Sequence, residues 1–236
     1  MKTGIYAVVQ CRRGSSRFPD KVLADICGKT MFQRVLERVQ ACELLETVIM
    51  ATSTRTKDVL LLSMAKDMGV ESFAGSENDV LDRYYQCSKE ANTVVRVSSD
   101  CPLIDPGLIS GVLQYHLICC NDYTSSRPSY PDGFDIEVMT TQALKQAWEE
   151  AQTPYDREHV TPYIITHPEI FKVGKFSCDV DFPPELHWSV DYPEDLTFMR
   201  WVYETLGEEF TFQDLITTIE LLGGQGAKEL CNVKIS

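Results

Sequence analysis

The chain has no apolar run long enough to form a membrane-spanning helix. Such a helix needs about 20 consecutive apolar residues, and no stretch of this sequence approaches that length. Residues 1–4 lead straight into a short apolar segment and show no apolar region of a signal peptide. We therefore expect a cytoplasmic protein with no membrane partner.

Basic residues are scarce in this sequence. The chain has 22 Lys and Arg against 35 Asp and Glu, which gives a formal net charge of −13. A nucleic-acid-binding surface requires a basic face, so we expect no nucleic-acid partner. A small anionic ligand that binds at one local basic spot remains compatible with this charge.

Several short motifs are also missing. The nine cysteines form no C-x-x-C pair, and their odd number leaves one unpaired in any complete disulfide scheme. We therefore expect reduced thiols, and no cysteine has a partner base at a spacing that would make it a nucleophile. The P-loop pattern G-x-x-x-x-G-K-[ST] and the dinucleotide fingerprint G-x-G-x-x-G are both absent, which excludes these two phosphate-binding loops.

The first half of the chain alternates short apolar strands with amphipathic helical segments. This alternation predicts βαβ units and a mostly parallel sheet flanked by helices, an α/β fold. Thr30 and Gln33 form a capping box, and Pro106 is placed to open a helix. The predicted strands are 5–9, 48–51, 71–73 and 93–97, and the predicted helices are 31–39, 59–68, 79–91 and 106–119.

The second half has a different pattern. A turn at 131–133 separates the two halves of a predicted hairpin, and we interpret residues 123–139 as a small insertion in one domain that covers 1–236. No repeat or linker divides the chain. The further predicted strands are 134–139, 172–180 and 188–190, and the further predicted helices are 141–151, 194–206 and 212–222.

Residues 10–21, which we call the phosphate cradle, combine cations with small residues directly after the first strand. Small residues let the backbone approach a ligand with its N–H groups, and guanidinium and ammonium groups neutralise phosphate oxygens. The alternative is a solvated basic loop. The position after a strand favours a polyphosphate site. The cations are Arg12, Arg13, Arg17 and Lys21, and the small residues are Gly14, Ser15 and Ser16.

Two aspartates follow predicted strands and are candidate metal ligands. Asp100 and Asp191 each lie just past a strand end, where two carboxylates that face a triphosphate suit Mg²⁺. Each could instead cap a helix, because Pro102 and Pro193 follow them closely.

The polar run 156–159 contains Arg157 and His159, which could hold an acidic substrate. The alternative is the start of a surface helix with a half-buried histidine. Asp82 and Arg83, taken alone, have the pattern of a solvated pair at a helix start.

Together these motifs resemble the cytidylyltransferases that activate sugar acids, and best the branch named for a spore-coat polysaccharide biosynthesis protein. The cradle is similar to the family pattern A-R-x-G-S-x-R-x-P-x-K, with Cys11 in place of Ala and Asp20 in place of Gly. Asp20 either weakens the cradle or points outward. The runs S-D-C-P-L-I-D, D-R-E-H-V-T-P-Y-I and V-D-Y-P-E-D-L also match, and the resemblance extends from residue 5 to about 206.

The resemblance implies a Rossmann-like nucleotidyltransferase (GT-A-like) fold and CMP transfer from CTP to an acidic sugar of the nonulosonic or octulosonic type. Pyrophosphate leaves, and Mg²⁺ is the cofactor. It also implies a homodimer that pairs through the insertion. The implied residues are Arg12, Lys21 and Asp100 for catalysis; Gln10, Arg12, Gly14, Ser15, Arg17, Lys21, Ser76, Arg83 and Ser99 for the nucleotide; Arg157, His159 and Tyr163 for the acceptor; and Asp100 and Asp191 for the metal.

The alternative is a glycosyltransferase-like or nucleotide-sugar-binding protein, or a cytidylyltransferase with a different phosphate or sugar acceptor. A glycosyltransferase of this shape is expected to carry a D-x-D metal motif, and Asp179 and Asp181 fit that pattern. They lie late in the chain, whereas the cradle and Ser99-Asp100 fit pyrophosphate release better.

Overall fold

The computed structural model describes residues 4–178, 180, 182 and 186–222. A seven-stranded sheet with strand order β5-β4-β1-β6-β8-β7-β9 forms its centre, and β2 and β3 make a separate small ribbon. The strands are β1 (Ile5–Gln10), β2 (Asp25–Ile26), β3 (Lys29–Thr30), β4 (Thr47–Ser53), β5 (Glu71–Gly75), β6 (Thr93–Ser98), β7 (Tyr123–Ser125), β8 (Glu137–Thr140) and β9 (Val173–Lys175).

Helices cover both faces of this sheet. One face packs against α1, α2, α4, α8 and α9, and the other packs against α3, α5 and α7. The helices are α1 (Met31–Gln40), α2 (Val59–Asp67), α3 (Val80–Ser88), α4 (Pro106–Cys119), α5 (Thr141–Glu150), α6 (Pro154–His159), α7 (Pro162–Thr166), α8 (Asp195–Leu206) and α9 (Phe212–Leu221). Among the described residues, no helix has the length and apolar character needed to cross a membrane.

The sheet is mostly parallel, as predicted. The strands β5, β4, β1 and β6 are parallel neighbours, and β8 runs antiparallel to both β6 and β7. Ala7, Val8 and Val9 of β1 are fully or almost fully buried, as expected for a central parallel strand with both faces covered. The predicted α/β class is confirmed.

The chain order of the strands creates a switch point beside β1. From β1 the chain moves to β4 and β5 on one side, and it then returns to β6 on the other side. The loops that follow β1 and β6 leave the same edge of the sheet in opposite directions. Ligands of open α/β sheets bind in this crevice, and the cradle follows β1.

The predicted insertion at 123–139 is part of the central sheet, which corrects the sequence interpretation. The strand β8 pairs with β6 on one side and β7 on the other, with Val138 opposite both Val95 and Thr124. Phe134 and Ile136, predicted to lie in this strand, are buried in the loop before it. The domain itself needs β7 and β8, so they supply no argument for a dimer.

Two other predicted strands also differ. The segment 188–190 is a loop, because Val190 N donates to the Asp100 carbonyl and Trp188 N donates to the Asp132 carbonyl. These partners belong to other loops, so no ladder forms. The predicted strand 172–180 is shorter and comprises Val173–Lys175.

Two buried arginines of α1 donate hydrogen bonds to backbone carbonyls of the segments packed around that helix. Arg38 donates from Nε to the Ile104 carbonyl, and its two terminal nitrogens donate to the carbonyls of Glu208 and Phe210. Arg34 donates in the same way to the Ile26 and Cys27 carbonyls. Burial lowers the pKa of Arg38.

Candidate active site

A cavity of about 400 Å³, called the first cavity, lies at the carboxyl ends of β1 and β6. Its walls come from the cradle, the residues that follow β6, and parts of α3 and α6. Asp100 and His159 also line it. The predicted nucleotide-binding residues that line it are Gln10, Arg12, Gly14, Ser15, Arg17, Lys21, Arg83 and Ser99.

The cradle separates its two adjacent arginines. Arg12 lines the first cavity and forms no ion pair within the described part of the chain. Arg13 turns away, because its Nε and Nη2 donate to the Asp20 carboxylate at 2.9 and 2.8 Å. Asp20 therefore points outward. Its backbone has a φ of 56°, a left-handed conformation that explains why glycine suits this position.

Lys21 lies between the two candidate metal ligands. Its Nζ donates to Asp100 Oδ2 at 2.9 Å and to the Val190 carbonyl at 2.7 Å, and it lies 3.5 Å from Asp191 Oδ1. Arg17 pairs with Asp191 at 2.7 Å. The fold thus brings two carboxylates, 91 positions apart in the sequence, to one cationic group.

Neither of these aspartates caps a helix, so the capping alternative is wrong. The helix α4 begins at Pro106, with Asp105 as its cap. At the start of α8, Asp195 Oδ2 accepts from the backbone N–H groups of Asp191 and Tyr192. These two hydrogen bonds fix the backbone at Asp191 and Tyr192, and the carboxylate of Asp191 faces Lys21.

The donor set around Lys21 fits a hard divalent cation that also binds phosphate. Asp100 and Asp191 supply carboxylate oxygens, and Mg²⁺ commonly takes one or two carboxylates with the rest of its shell from phosphates and water. Within the described residues, no group of three or more His, Cys, Asp or Glu side chains could hold a metal. A pair of carboxylates suits a metal that takes its other ligands from phosphate and water.

Arg83 is buried beneath the first cavity, so its interpretation as part of a solvated pair is wrong. The residue is only 2% exposed, and its Nη1 donates to the Ser76 carbonyl at 2.9 Å. Its Nε is buried without a hydrogen-bond partner among the described residues, and burial lowers its pKa. Ser76, predicted to bind the nucleotide, is not among the residues that line the first cavity, and its Oγ accepts from Asp79 N.

A cluster near Asp191 was not found from the sequence. His187 lies between Asp132, which its Nδ1 contacts, and Asp191, whose Oδ2 is 3.4 Å from Nε2. Asp135 lies beside Asp132, and burial together with that neighbour raises the pKa of Asp135 to about 8. These residues come from two loops more than 50 positions apart, so no local signal connects them.

Two of the three predicted acceptor residues lie outside the first cavity. The Arg157 guanidinium donates to the Asp79 carboxylate at 2.5–3.0 Å and to the Trp148 carbonyl at 2.6 Å, so all its nitrogens are used between α3, α5 and α6. The Tyr163 hydroxyl donates to Glu150. The assignment of these two side chains to substrate is corrected, because both hold helices together.

A second cavity of about 380 Å³ adjoins the first and shares Arg96 and His159 with it. Arg96 forms an ion pair with Glu137, and the Tyr123 and Thr161 hydroxyls also donate to this carboxylate. The strong field of Arg96 and these donors lower the pKa of Glu137 despite its burial. The candidate D-x-D residues Asp179 and Asp181 lie outside the described residues.

Comparison with known proteins gives related chains across most of the length. An uncharacterized protein of Methanocaldococcus jannaschii is 38% identical over 171 residues, 72% of this chain and 70% of that protein. The spore coat polysaccharide biosynthesis protein SpsF of Bacillus subtilis is 28% identical over 225 residues, 91% and 93% of the two chains. The 3-deoxy-manno-octulosonate cytidylyltransferase of Trichlorobacter lovleyi is 31% identical over 139 residues, 51% and 54% of the two chains.

The solved structure of a cytidylyltransferase from Leptospira borgpetersenii has a similar fold. It gives a TM-score of 0.88 at 28% identity and covers 93% of this chain and 95% of that one. A family model described as cytidylyltransferase matches residues 6–205, which include all of β1 but its first residue, together with the cradle, Asp100 and Asp191. The chain therefore belongs to the cytidylyltransferase family, a family of CTP-dependent nucleotidyltransferases.

Proposed function

We propose that this enzyme transfers CMP from CTP to an acidic sugar of the nonulosonic or octulosonic type, with release of pyrophosphate, in the synthesis of a surface polysaccharide. The observation that carries the proposal is the first cavity. It lies at the switch point of the sheet and is lined by Arg12, Lys21 and the buried Arg83. A protein with a net charge of −13 concentrates these cations at one site, as a polyphosphate ligand requires.

The cradle residues bind and orient the triphosphate in this account. Arg12 and Lys21 neutralise its oxygens, and the backbone N–H groups around Gly14 and Ser15 add hydrogen bonds. A hydroxyl oxygen of the acceptor forms a bond to the α-phosphorus, and the bond between the α-phosphorus and the oxygen that bridges it to the β-phosphorus breaks as pyrophosphate leaves. The hydroxyl proton passes to water. These cations and N–H groups stabilise the negative charge that develops on the phosphate oxygens in the transition state, so catalysis is mainly electrostatic.

Asp100 and Asp191 would hold Mg²⁺ in this reaction. When bound, the ion stabilises the negative charge that develops on the phosphate oxygens. Lys21 contacts both carboxylates and so places a cation of the chain itself beside them.

In this proposal the acceptor binds in the second cavity, which Arg96 and His159 separate from the first cavity. Two related proteins support the acceptor class. One is named for transfer to 3-deoxy-manno-octulosonate, and the other for spore coat polysaccharide biosynthesis. A cytidylyltransferase that acts on a sugar phosphate is the alternative, since a phosphate also suits a basic pocket.

The proposal is tested by the release of pyrophosphate with CTP, UTP, ATP and GTP against a panel of acidic and neutral sugars. We expect release with CTP and an acidic sugar. Asp100→Asn and Asp191→Asn should each lower kcat by at least about 100-fold with an unchanged melting temperature, because removal of a metal ligand costs several kcal/mol of transition-state stabilisation. Glu194→Gln, at an exposed carboxylate three residues from Asp191, is the control. Normal turnover in either Asn variant removes that residue from the metal site.

A further inference from the structure

The walls of the second cavity come from two paired strands and two short helices. In the register of β7 and β9, Tyr123 lies opposite Val173 and Ser125 lies opposite Lys175. Alternate residues of a strand share one face, so these four side chains lie on the face that lines the cavity. Tyr155 of α6 adds an aromatic wall.

Most of the charge in this cavity is already neutralised. Arg96 and Glu137 pair with each other. Arg127 lies 4.0 Å from Asp132 Oδ1, and this carboxylate stays charged because its hydrogen bond with His187, together with the nearby Arg127, lowers its pKa. Glu137 supplies the single carboxylate among the described lining residues, and Arg96 compensates it fully.

Lys175 is the exception. The residue lies on the edge strand β9, is exposed, and forms no ion pair with any residue that the structure describes. Among the described residues, this ammonium group therefore adds a positive charge to a cavity whose arginine and glutamate side chains are already paired. In a chain of net charge −13, this local excess favours an anionic occupant over a neutral one.

We propose that Lys175 binds the anionic group of the acceptor, a carboxylate or a phosphate, within the second cavity. This inference rests on the proposed function and names the cation that selects the acceptor, a role that Arg157 cannot fill because Asp79 and Trp148 occupy its nitrogens. An acceptor anchored at Lys175 extends its sugar ring along Tyr155 and Val173. Its hydroxyl then reaches the wall of Arg96 and His159, where the nucleotide cavity begins.

The neighbouring Lys172 provides a matched control. It directly precedes β9, and the alternation of side chains along a strand places it on the opposite face from Val173 and Lys175. It does not line the second cavity, and its Nζ donates to the Cys119 carbonyl at 2.6 Å. Lys172→Gln therefore removes the same charge from the same edge of the sheet without touching the second cavity.

The experiment measures KM for the acceptor and for CTP in wild type, Lys175→Gln, Lys175→Arg and Lys172→Gln. The acceptors are a sugar acid, its carboxamide and a sugar phosphate. Loss of a hydrogen bond to a charged group should raise the acceptor KM of Lys175→Gln about 10- to 100-fold, with the CTP KM unchanged. Lys175→Arg should restore most of the affinity, Lys172→Gln should match wild type, and the carboxamide should react equally weakly with wild type and Lys175→Gln.

The outcomes separate this inference from the proposed function. If wild type transfers CMP to the sugar acid and Lys175→Gln keeps a normal acceptor KM, the inference is overturned and the function stands. If the sugar phosphate is the substrate and depends on Lys175, the inference stands and the acceptor class is wrong. If the enzyme releases no pyrophosphate from CTP with any anionic acceptor, both the inference and the proposed function are wrong.

Discussion

Arg12 and Arg13 are adjacent in the chain, yet the fold gives them different roles. Arg13 is neutralised by Asp20 outside the first cavity, whereas Arg12 lines the cavity without an ion pair among the described residues. Because Asp20 holds Arg13 outside the cavity, Arg13 contributes little to an anion that binds inside it. The count of cations in the cradle therefore overstates the number that are available to a phosphate.

Replacement of each arginine by alanine tests this difference. Arg12→Ala should weaken CTP binding about 10- to 100-fold, because a hydrogen bond to a charged group contributes about 1.5–3 kcal/mol. Arg13→Ala is the matched control and should change CTP affinity less than about threefold, since its partner Asp20 lies outside the cavity. Calorimetric titration with CTP measures both. Equal losses in the two variants would show that the cradle acts only through its net charge.

Among the helices, the residues at the first turn predicted correctly where α1 and α4 begin. The capping box of Thr30 and Gln33 is present at α1, and α4 begins at Pro106 and ends at Cys119 as predicted. These signals depend on residues within one turn of helix. The position of β8 between β6 and β7 depends on partners about 40 and 14 residues away, so the sequence pattern alone suggested an added hairpin.

The helix α1 should depend on Arg38 for its attachment to the loops around it. Arg38→Leu leaves the carbonyls of Ile104, Glu208 and Phe210 without their donor. A buried unsatisfied group costs about 1–3 kcal/mol, so we expect a loss of about 2–5 kcal/mol in the free energy of unfolding, measured by urea denaturation. Lys66→Leu, on the exposed surface of α2, is the control. A change below about 0.5 kcal/mol for Arg38→Leu would contradict this role.

The loop before β8 should make stability depend on pH through Asp135. Burial and the nearby Asp132 raise the pKa of Asp135 to about 8, above its ordinary value of about 4. The folded state then holds this proton more tightly than the unfolded state, so the contribution of Asp135 is present at low pH and is lost as the pH rises towards 8. Asp135→Asn cannot titrate. Its melting temperature relative to wild type should rise between pH 5 and about 9.

The control for this effect is Asp67→Asn, at an exposed carboxylate on α2. Its melting temperature should follow that of wild type across the same range of pH. A constant difference between Asp135→Asn and wild type would show that the Asp135 carboxyl does not hold its proton in the folded state.

For the whole molecule, the arrangement of the sheet explains which parts of the site could be predicted. The cradle and Asp100 follow neighbouring parallel strands, so their meeting at one edge follows from the fold class. Lys175 and His187 reach the site through loops and an edge strand whose course depends on distant partners. The amino acids next to Lys175 and His187 in the sequence form no motif that predicts where these two side chains lie in the fold.

The homodimer stays a prediction from the family resemblance, because β7 and β8 are inner strands of the sheet. Light scattering at micromolar concentration measures the molar mass directly. We expect twice the chain mass of 26.7 kDa. A mass equal to one chain would contradict the dimer and would leave the account of the active site unchanged.

Transfer of CMP to a sugar acid can be followed directly by ³¹P NMR of the complete reaction with CTP, Mg²⁺ and octulosonic and nonulosonic acids. We expect the three CTP signals to disappear while pyrophosphate and one new phosphodiester signal appear together, and mass spectrometry to find CMP joined to the sugar acid. CTP that stays intact with every acid, or that is hydrolysed at the same rate without an acceptor, would show that the enzyme does not transfer CMP to such acids.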